Sequence, residues 1–438
     1  MRLDGKQFDV AVVGASLAGC TAATLLGRAG LRVALVDKHS GADAYKRLCG
    51  HYIQASATPV LERLGLAAPI EAAGGARNGA DLWTRWGVIA SPEPPGERPY
   101  GYSIRRVKLD PMARALACET AGVEYLPAHE AVGLLGGRGE VTGVELRDRG
   151  GRGTRLRARL VVGADGRGST IARLAGARER HAANARFCYM AYFSGVGLPA
   201  GSRGRLWVIE PDAAIAAPND DGLTVLAAFL HKRRLPEFKP DRGRALRELF
   251  AGLPEAPAMD EAELAGKVLG FTDYGLVSRD PAPLPGLALA GDAALTSDPL
   301  MAIGCGWALQ SAAWLADEVA PALEAGEPLA AALRRYRRTH RRRLAGHHGR
   351  LAAGARARPA DPVQRLLFAA AVHDPRTAAL LSRYAERSIP PRRLLAPRTL
   401  GRAAYWAARG GGRSATAASS ASSATPASGW RPPGGSSA

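Results

Sequence analysis

The chain has 438 residues and a formal net charge of +19, and 47% of its residues are hydrophobic. A chain of this length can bury a large core and hold more than one domain. Its five cysteines show neither close pairing nor ligand spacing, which argues against a disulfide framework or a zinc site and favours the reducing cytoplasm. We therefore predict no metal site. We also predict no signal peptide, because the residues before Phe8 are too few and too polar.

Residues 8–37 predict a strand, a glycine-rich turn, a helix and a second strand. The first strand is an apolar run that ends at Gly14, and Gly19 lies where the helix must pack closely on that strand. Ser16 replaces the middle glycine of the strict G-x-G-x-x-G pattern and is small enough to approach a phosphate. Asp37 ends the second strand 18 residues beyond Gly19, where an acid can bind a ribose diol. The unit therefore predicts dinucleotide binding, and we include Lys38, which directly follows the acid.

Residues 45–52 read Tyr-Lys-Arg-Leu-Cys-Gly-His-Tyr, and we predict that this loop lies closest to the reacting groups. Several titratable side chains in one loop suit a site where charge develops during a reaction. We predict catalytic roles for Lys46, His51 and Tyr52; the alternative is a solvated surface turn. Cys49 is interpreted as a packing residue, because a lone thiol beside a glycine is usually one.

A helix is predicted to start at Asp110-Pro111, because aspartate favours the N-cap and proline the first helical position. Two further strands each run into a Gly/Asp turn. Residues 160–163 lead to Asp165-Gly166, and residues 287–290 lead to Gly291-Asp292. The second turn is followed by a segment from Pro299 through Gly304 and Gly306 that opens a long apolar helix. Eighteen residues from Pro299 carry no charge, but their glycines and polar residues favour a buried helix over a membrane span.

Between these turns the chain predicts an antiparallel sheet. Stretches 187–196, 205–209 and 222–230 are rich in β-formers and are separated by turn residues, and residues 218–222 read as a hairpin connection. Four aromatic side chains in these strands could line a pocket, although aromatics at strand positions are more often core. They are Tyr189, Tyr192, Trp207 and Phe229.

At residues 14–19, 165–166 and 292–306 the chain resembles the superfamily of FAD-dependent monooxygenases and reductases, which includes aromatic hydroxylases, flavin halogenases and geranylgeranyl reductases. The resemblance covers about residues 8–320 and implies FAD as the cofactor. It implies that the glycine-rich turn holds the pyrophosphate, Asp37 the adenosine ribose and Asp292 the ribityl chain, and that Arg105 or Arg106 reaches the phosphates. The implied FAD-binding residues are Gly14, Ser16, Gly19, Asp37, Lys38, Arg106, Asp165, Gly166, Asp292, Pro299, Gly304 and Gly306.

The resemblance also implies the reaction. It favours a monooxygenase that hydroxylates or epoxidises a small organic substrate through a flavin C4a-hydroperoxide, with O₂ as co-substrate and NAD(P)H or a separate flavin reductase as electron donor. The alternative is a reductase or dehydrogenase that inserts no oxygen. Leu295 and Ala308 stand where hydroxylases usually carry histidine and asparagine, and Lys46 to Gly50 resembles the Lys-x-x-Cys-Gly loop of geranylgeranyl reductases. Halogenation is disfavoured, because the Trp-x-Trp-x-Ile-Pro motif is absent.

The expected fold is α/β, with a Rossmann-like FAD-binding domain, an interwoven antiparallel β-sheet substrate domain and a C-terminal helical region.

An arginine-rich run at 334–343 on a probable helix is interpreted as a solvated face or as a surface for an acidic carrier protein or reductase, with no specific nucleic acid expected. The last segment, rich in Ser, Ala and Gly, is predicted to be disordered. The predicted division is an FAD-binding domain at 1–180, with a possible excursion at about 75–105, the substrate domain at 181–285, the second FAD-binding part at 286–325, the helical region at 326–409 and the tail at 410–438.

Overall fold

The computed structural model describes residues 6–41, 43–90, 99–137, 139–198 and 203–420. Strands and helices are numbered separately along the chain. The strands are β1 Gln7–Val13, β2 Val33–Val36, β3 Tyr52–Ile53, β4 Ala76–Asn78, β5 Asp81–Thr84, β6 Gly87–Ile89, β7 Gly101–Ser103, β8 Val123–Leu126, β9 His129–Gly137, β10 Glu140–Asp148, β11 Gly153–Gly163, β12 Arg180–Ala182, β13 Arg186–Ser194, β14 Arg205–Ile209, β15 Asp212–Pro218, β16 Thr224–His231, β17 Glu263–Phe271, β18 Leu276–Ser278 and β19 Leu287–Leu289. The α-helices are α1 Leu17–Arg28, α2 Thr58–Leu64, α3 Ala67–Ala72, α4 Arg106–Glu119, α5 Thr170–Leu174, α6 Arg242–Ala251, α7 Gly304–Glu324, α8 Ala330–Gly354, α9 Pro362–Ala371, α10 Pro375–Ala385 and α11 Pro397–Ser420.

The first sheet carries the predicted dinucleotide unit. Its strands lie in the order β8-β2-β1-β11-β10-β9, and β19 pairs with the far end of β11. β1 is parallel to both β2 and β11, so that Val12 lies between Leu35 and Val162. All three side chains are fully buried, as expected for a parallel sheet that is covered on both faces. The ends of β1, β11 and β19 therefore meet at one edge of the sheet.

The second sheet is antiparallel apart from one pair. Its order is β17-β13-β16-β15-β14-β5-β6, and only β14 and β5 run parallel. The predicted strands at 187–196, 205–209 and 222–230 are β13, β14 and β16, and residues 219–223 connect β15 to β16. β5 and β6, from the predicted excursion at about 75–105, join this sheet. The expected fold class, an α/β chain with an interwoven antiparallel sheet, is confirmed.

Successive side chains of the second sheet point to opposite faces, and the two faces have different neighbours. On one face Phe187, Tyr189 and Trp207 pack beneath α6. On the other face Met190 and Phe229 belong to a smaller apolar cluster, and both line a cavity together with the turns that follow β1, β11 and β19. The sheet therefore presents an apolar wall to the edge where β1, β11 and β19 end.

Helices make up the rest of the described chain. The apolar stretch at 299–316 contributes to α7, whose side chains are mostly buried in the protein core, and none of the described helices is long and apolar enough to cross a membrane. α11 continues to Ser420, so the first residues of the tail predicted at 410–438 are helical in the structure, and the disorder of the tail stays a prediction. The remainder of that predicted tail, 421–438, lies outside the described residues.

Candidate active site

The glycine-rich turn forms one end of a cavity between the two sheets. Gly14 adopts φ +106°, and a Cβ there would lie 2.5 Å from the carbonyl oxygen of Ala164. A Cβ on Gly19 would lie only 1.7 Å from the carbonyl oxygen of Gly14. Ser16 is the N-cap of α1, yet its side chain accepts no hydrogen bond from that helix. The backbone N–H groups at the start of α1 are therefore left for an anionic ligand.

The acid at the end of β2 lies further along the same cavity. Asp37 is buried and lines the cavity, and one of its carboxylate oxygens accepts a hydrogen bond of 2.9 Å from the backbone N–H of His39. This bond fixes the carboxylate at the strand end, where an acid can accept hydrogen bonds from a ribose diol. Lys38 also lines the cavity and is exposed to solvent.

The two neighbouring arginines have different surroundings. Arg106 is buried, lines the cavity and donates to Ser16 Oγ at 2.6 Å and to Asp110 at 2.7 Å. Arg105 instead binds Asp220 and Asp221 on the connection between β15 and β16. Only Arg106 is therefore placed to meet a ligand in the cavity.

The predicted helix start at Asp110-Pro111 is wrong. α4 begins four residues earlier at Arg106, with Arg105 as N-cap. The Asp110 carboxylate is buried inside the helix and accepts hydrogen bonds from Arg106 Nε and from the backbone N–H of Lys46. Because this carboxylate is used in tertiary contacts, it does not cap the helix.

The turn after β11 is held by its own acid. Asp165 accepts from Ser169 Oγ at 2.5 Å and from the backbone N–H of Ile171 at 3.0 Å, so both carboxylate oxygens stabilise the start of α5. Gly166 adopts φ +83° and lines the cavity beside Asp165. Asp165 thus shapes a turn that faces the cavity.

Asp292 and Lys46 come together across the cavity. Their side chains form an ion pair of 2.8 Å, and Asp292 raises the pKa of Lys46 above its ordinary value. The sequence analysis had assigned them separate roles, one at the ribityl chain and one in catalysis. The pairing joins the loop at 45–52 to the turn after β19.

The start of α7 completes this part of the cavity. Pro299 and Gly304 line it. Gly306 is not among the lining residues, and a Cβ there would lie 3.5 Å from Ala57 Cβ, an ordinary contact distance, so packing does not require a glycine at this position. The Gln54 amide donates to the carbonyl oxygens of Met301 at 2.8 Å and of Ala385 at 3.1 Å. That side chain ties this turn to the end of α10.

Two cysteines that the sequence analysis left unpaired meet at this point. Cys49 Sγ lies 3.6 Å from Cys305 Sγ, both residues line the cavity, and both lie beside the guanidinium of Arg106. The hydrogen bond donated by Cys305 lowers the pKa of Cys49 well below its ordinary value, and burial opposes this effect. The two residues are far apart in the sequence and meet only in the fold, and both thiols are free. The signal for Cys305 was its position between Gly304 and Gly306.

His51 and Tyr52 lie deeper, towards the second sheet. His51 is buried with φ +55°, and its Nδ1 makes a short hydrogen bond with the Tyr192 hydroxyl. Burial lowers the pKa of His51, so its ring is neutral at pH 7, and burial raises the pKa of Tyr52. Both residues line the cavity. Of the four aromatic candidates, Phe229 lines the cavity and Tyr192 supports His51, whereas Tyr189 and Trp207 are core on the other face of the sheet.

The arrangement fits FAD. The tight glycine turn and the start of α1 suit a pyrophosphate, Asp37 suits a ribose, and the buried guanidinium of Arg106 suits phosphate charge. The start of α7 offers backbone N–H groups and a partial positive charge to a ring edge that becomes negative on reduction. Within the described parts of the chain, no group of three or more His, Cys, Asp or Glu side chains could hold a metal ion.

Comparison with known proteins agrees with this assignment. The chain is 24% identical over 361 residues to digeranylgeranylglycerophospholipid reductase of Thermoplasma acidophilum, which covers 78% of this chain and 85% of that protein. It is 26% identical over 364 residues to tryptophan 2-halogenase of Chondromyces crocatus, covering 76% of this chain and 65% of the halogenase. The fold of PqsL, described as a probable FAD-dependent monooxygenase from Pseudomonas aeruginosa, superposes with a TM-score of 0.64 at 21% identity and covers 86% of this chain and 99% of that chain.

The family model described as "FAD binding domain" matches residues 7–347. This range includes each turn that lines the cofactor end of the cavity. The chain therefore belongs to the FAD-binding-domain family and, with it, to the superfamily of FAD-dependent oxidoreductases.

Proposed function

We propose that the protein is a monooxygenase that hydroxylates or epoxidises a small organic substrate. One observation carries the proposal: the cofactor turns and the apolar face of the second sheet line a single cavity of about 600 Å³. The wall opposite the cofactor turns is formed by Leu82, Met190, Leu206, Ile215, Val225 and Phe229. A substrate on this wall would lie beside the cofactor and away from bulk water, as oxygen transfer requires.

The bound FAD would supply the electrons and the oxygen activation. The chain would bind it through the residues of the glycine-rich turn, Asp37, Lys38, Arg106, Asp292 and the start of α7. We propose that Lys46, His51 and Tyr52 act next to it. Lys46 would hold Asp292 in place by their ion pair, and the neutral His51 ring and the protonated Tyr52 hydroxyl would offer polar groups to the substrate.

The experiment that tests oxygen chemistry needs no known substrate. The flavin-loaded protein is reduced without oxygen, once by NADPH and once by light, and is mixed with oxygenated buffer in a stopped-flow spectrometer. A monooxygenase should pass through a transient spectrum that matches neither oxidised nor reduced flavin. Reduction by light but not by NADPH would assign the electron supply to a separate flavin reductase.

A second candidate is a reductase or dehydrogenase that inserts no oxygen. The thiols of Cys49 and Cys305 favour it, because soft sulfur atoms in the cavity are readily oxidised by an activated oxygen species. The replacement of the hydroxylase histidine and asparagine by Leu295 and Ala308 points the same way. Slow reoxidation without a transient would favour this candidate.

We also propose that α8 docks an acidic carrier protein or reductase in the cytoplasm. Arg337 and Arg341 are paired with Asp280. Arg334, Arg338 and Arg342 are exposed on the same helix and have no ion-pair partner among the described residues. A surface of unpaired arginines attracts an acidic partner by long-range charge. Binding that weakens with salt, and that is lost when these three arginines are replaced by glutamine, supports the proposal.

A further inference from the structure

We propose that His51 selects the substrate of this cavity: it donates a hydrogen bond from Nε2 to an acceptor oxygen on an otherwise apolar molecule. The inference rests on the proposed function in one respect, since it takes the cavity between the two sheets to be the substrate chamber. It names a substrate class, an apolar or aromatic compound that carries a ketone, enol, phenol or ether oxygen. A pure hydrocarbon is excluded from this class.

The first observation is the unequal state of the two ring nitrogens. Nδ1 of His51 is bonded to the Tyr192 hydroxyl. Nε2 is buried and has no hydrogen-bond partner within the described parts of the chain. A buried polar atom without a partner is unfavourable, because it has lost its hydrogen bonds to water and gained none. His51 lines the cavity and Tyr192 does not, so Nε2 is the ring nitrogen left for a bound molecule.

The second observation is the hydrogen bond between the Tyr192 hydroxyl and His51 Nδ1. Burial raises the pKa of Tyr192, so its hydroxyl keeps its hydrogen, and His51 Nδ1 is the only partner of that hydroxyl among the residues described. If the hydroxyl donates to Nδ1, the neutral ring must carry its proton on Nε2. The proposal takes this arrangement, in which Tyr192 is a positioning residue that makes Nε2 a donor.

The third observation is that His51 adopts an unfavourable backbone conformation, which the surrounding structure maintains. A positive φ such as the +55° of His51 is uncommon for a residue with a side chain. Two contacts keep this conformation: the His51 N–H lies 3.4 Å from Cys49 Sγ, and the His51 carbonyl accepts from the Ile104 N–H at 3.1 Å. Backbone strain that the surrounding structure maintains is a feature of functional sites.

The fourth observation is the contrast with the surrounding wall. The side chains that the second sheet directs into the cavity near His51 are hydrocarbon or sulfur, namely Cys188, Met190, Ile215, Val225, Ala227 and Phe229. A donor set against such a wall discriminates strongly, because a ligand without an acceptor leaves the donor unpaired. The apolar wall would contact the hydrocarbon part of the substrate, and His51 would donate a hydrogen bond to its oxygen.

The test compares two probes of nearly the same shape. Acetophenone carries a carbonyl oxygen where α-methylstyrene carries a CH₂ group. Each is titrated into the oxidised, FAD-loaded protein, and binding is followed by the change in flavin absorbance, so no turnover is needed. In His51→Leu the ratio of the two dissociation constants should shift about tenfold towards α-methylstyrene, the factor expected for one net hydrogen bond.

Two further variants separate donation from general damage. His51→Gln keeps an N–H donor and should retain part of the preference for acetophenone. Tyr192→Phe leaves His51 in place but frees its tautomer, and should reduce the preference several-fold. FAD stoichiometry and the thermal midpoint confirm that each variant is folded.

An equal ratio in the native protein and in His51→Leu overturns the inference, as does failure of the native holoprotein to bind either probe. The stopped-flow measurement of oxygen reactivity is independent of these titrations. The inference can therefore fail while the proposed function stands, and the reverse.

Discussion

The two halves of the cavity, which we assign to the cofactor and to the substrate and call the cofactor half and the substrate half, are built in different ways. In the cofactor half, the predicted functional residues lie mostly at strand ends and helix starts. The close approach of backbone atoms determines the shape of the site there, as at Gly14 and Gly19. In the substrate half, the functional groups are side chains that meet across long stretches of chain, such as His51 and Tyr192, which lie 141 residues apart. Substitutions should therefore abolish cofactor binding in the first half and alter selectivity in the second.

The largest effect is expected at Gly19. In Gly19→Ala the new Cβ would meet the Gly14 carbonyl oxygen at 1.7 Å, so α1 must move away from β1. We expect loss of bound FAD and a fall in the free energy of unfolding of about 3 kcal/mol or more. Flavin absorbance per protein and chemical denaturation measure the two effects.

Gly349→Ala is the matched control, because Gly349 also lies in a helix and nothing lies within 4 Å of its added Cβ. This variant should keep its flavin, and its free energy of unfolding should stay equal or rise by up to about 1 kcal/mol, because alanine favours the helix more than glycine does. A Gly19→Ala protein with full flavin content would contradict the idea that the backbone turn sets cofactor binding.

The next effect distinguishes the two adjacent arginines. Arg106→Leu removes the buried cation that pairs with Asp110 and leaves that carboxylate without its ion-pair partner. Breaking such a buried pair costs about 3–5 kcal/mol, and we expect weaker FAD binding as well. Denaturation curves and FAD titration of the apoprotein measure these changes.

Arg105→Leu should be much milder, because Lys108 remains 3.1 Å from Asp220 and Arg105 does not line the cavity. Its FAD affinity should equal that of the native protein. Equal losses in the two variants would show that the cavity contact of Arg106 is unimportant for the cofactor.

The sequence predicted the cofactor half better than the substrate half, for a physical reason. Gly14, Gly19 and Asp37 lie within one βαβ unit, where local spacing determines geometry. Arg105 and Arg106 could not be distinguished, because the choice depends on where Asp220 comes to lie. Cys49 and Cys305 are 256 residues apart, and only the meeting of the loop with the start of α7 joins them. The roles of Lys46, His51 and Tyr52 remain predictions.

Acid should destabilise the side of the first sheet that α8 covers, where Tyr336 of α8 donates a hydrogen bond to the Leu289 carbonyl oxygen of β19. His340 of α8 is buried near Tyr336, and burial lowers its pKa to about 4. In the unfolded chain histidine titrates near 6.5. Between these values the unfolded state binds a proton that the folded state does not, so stability falls as the pH falls from about 6.5 to 4.

The loss of folding free energy between these two pH values follows from the difference between the two pKa values and amounts to about 3 kcal/mol for this side chain. His340→Leu should lose that part of the acid slope and resemble the native protein above pH 7. Denaturant unfolding at pH 7.5, 5.5 and 4.5 measures it. An unchanged slope would mean that His340 protonates in the folded protein without cost.

The smallest effect on stability, and the sharpest contrast with Gly19, is expected at Lys46. Its ion pair with Asp292 is partly exposed, with 47% of the lysine side chain accessible, so Lys46→Met should change the free energy of unfolding by no more than about 1 kcal/mol. The same substitution leaves Asp292 uncompensated beside the cofactor, so it should change the reduction potential of the bound flavin, which a potentiometric titration measures. Lys232→Met is the control, because Lys232 also forms an exposed ion pair, with Asp273, outside the cavity. A potential that moves in Lys46→Met alone, at constant stability, would show that this loop acts on the flavin and is more than a solvated turn.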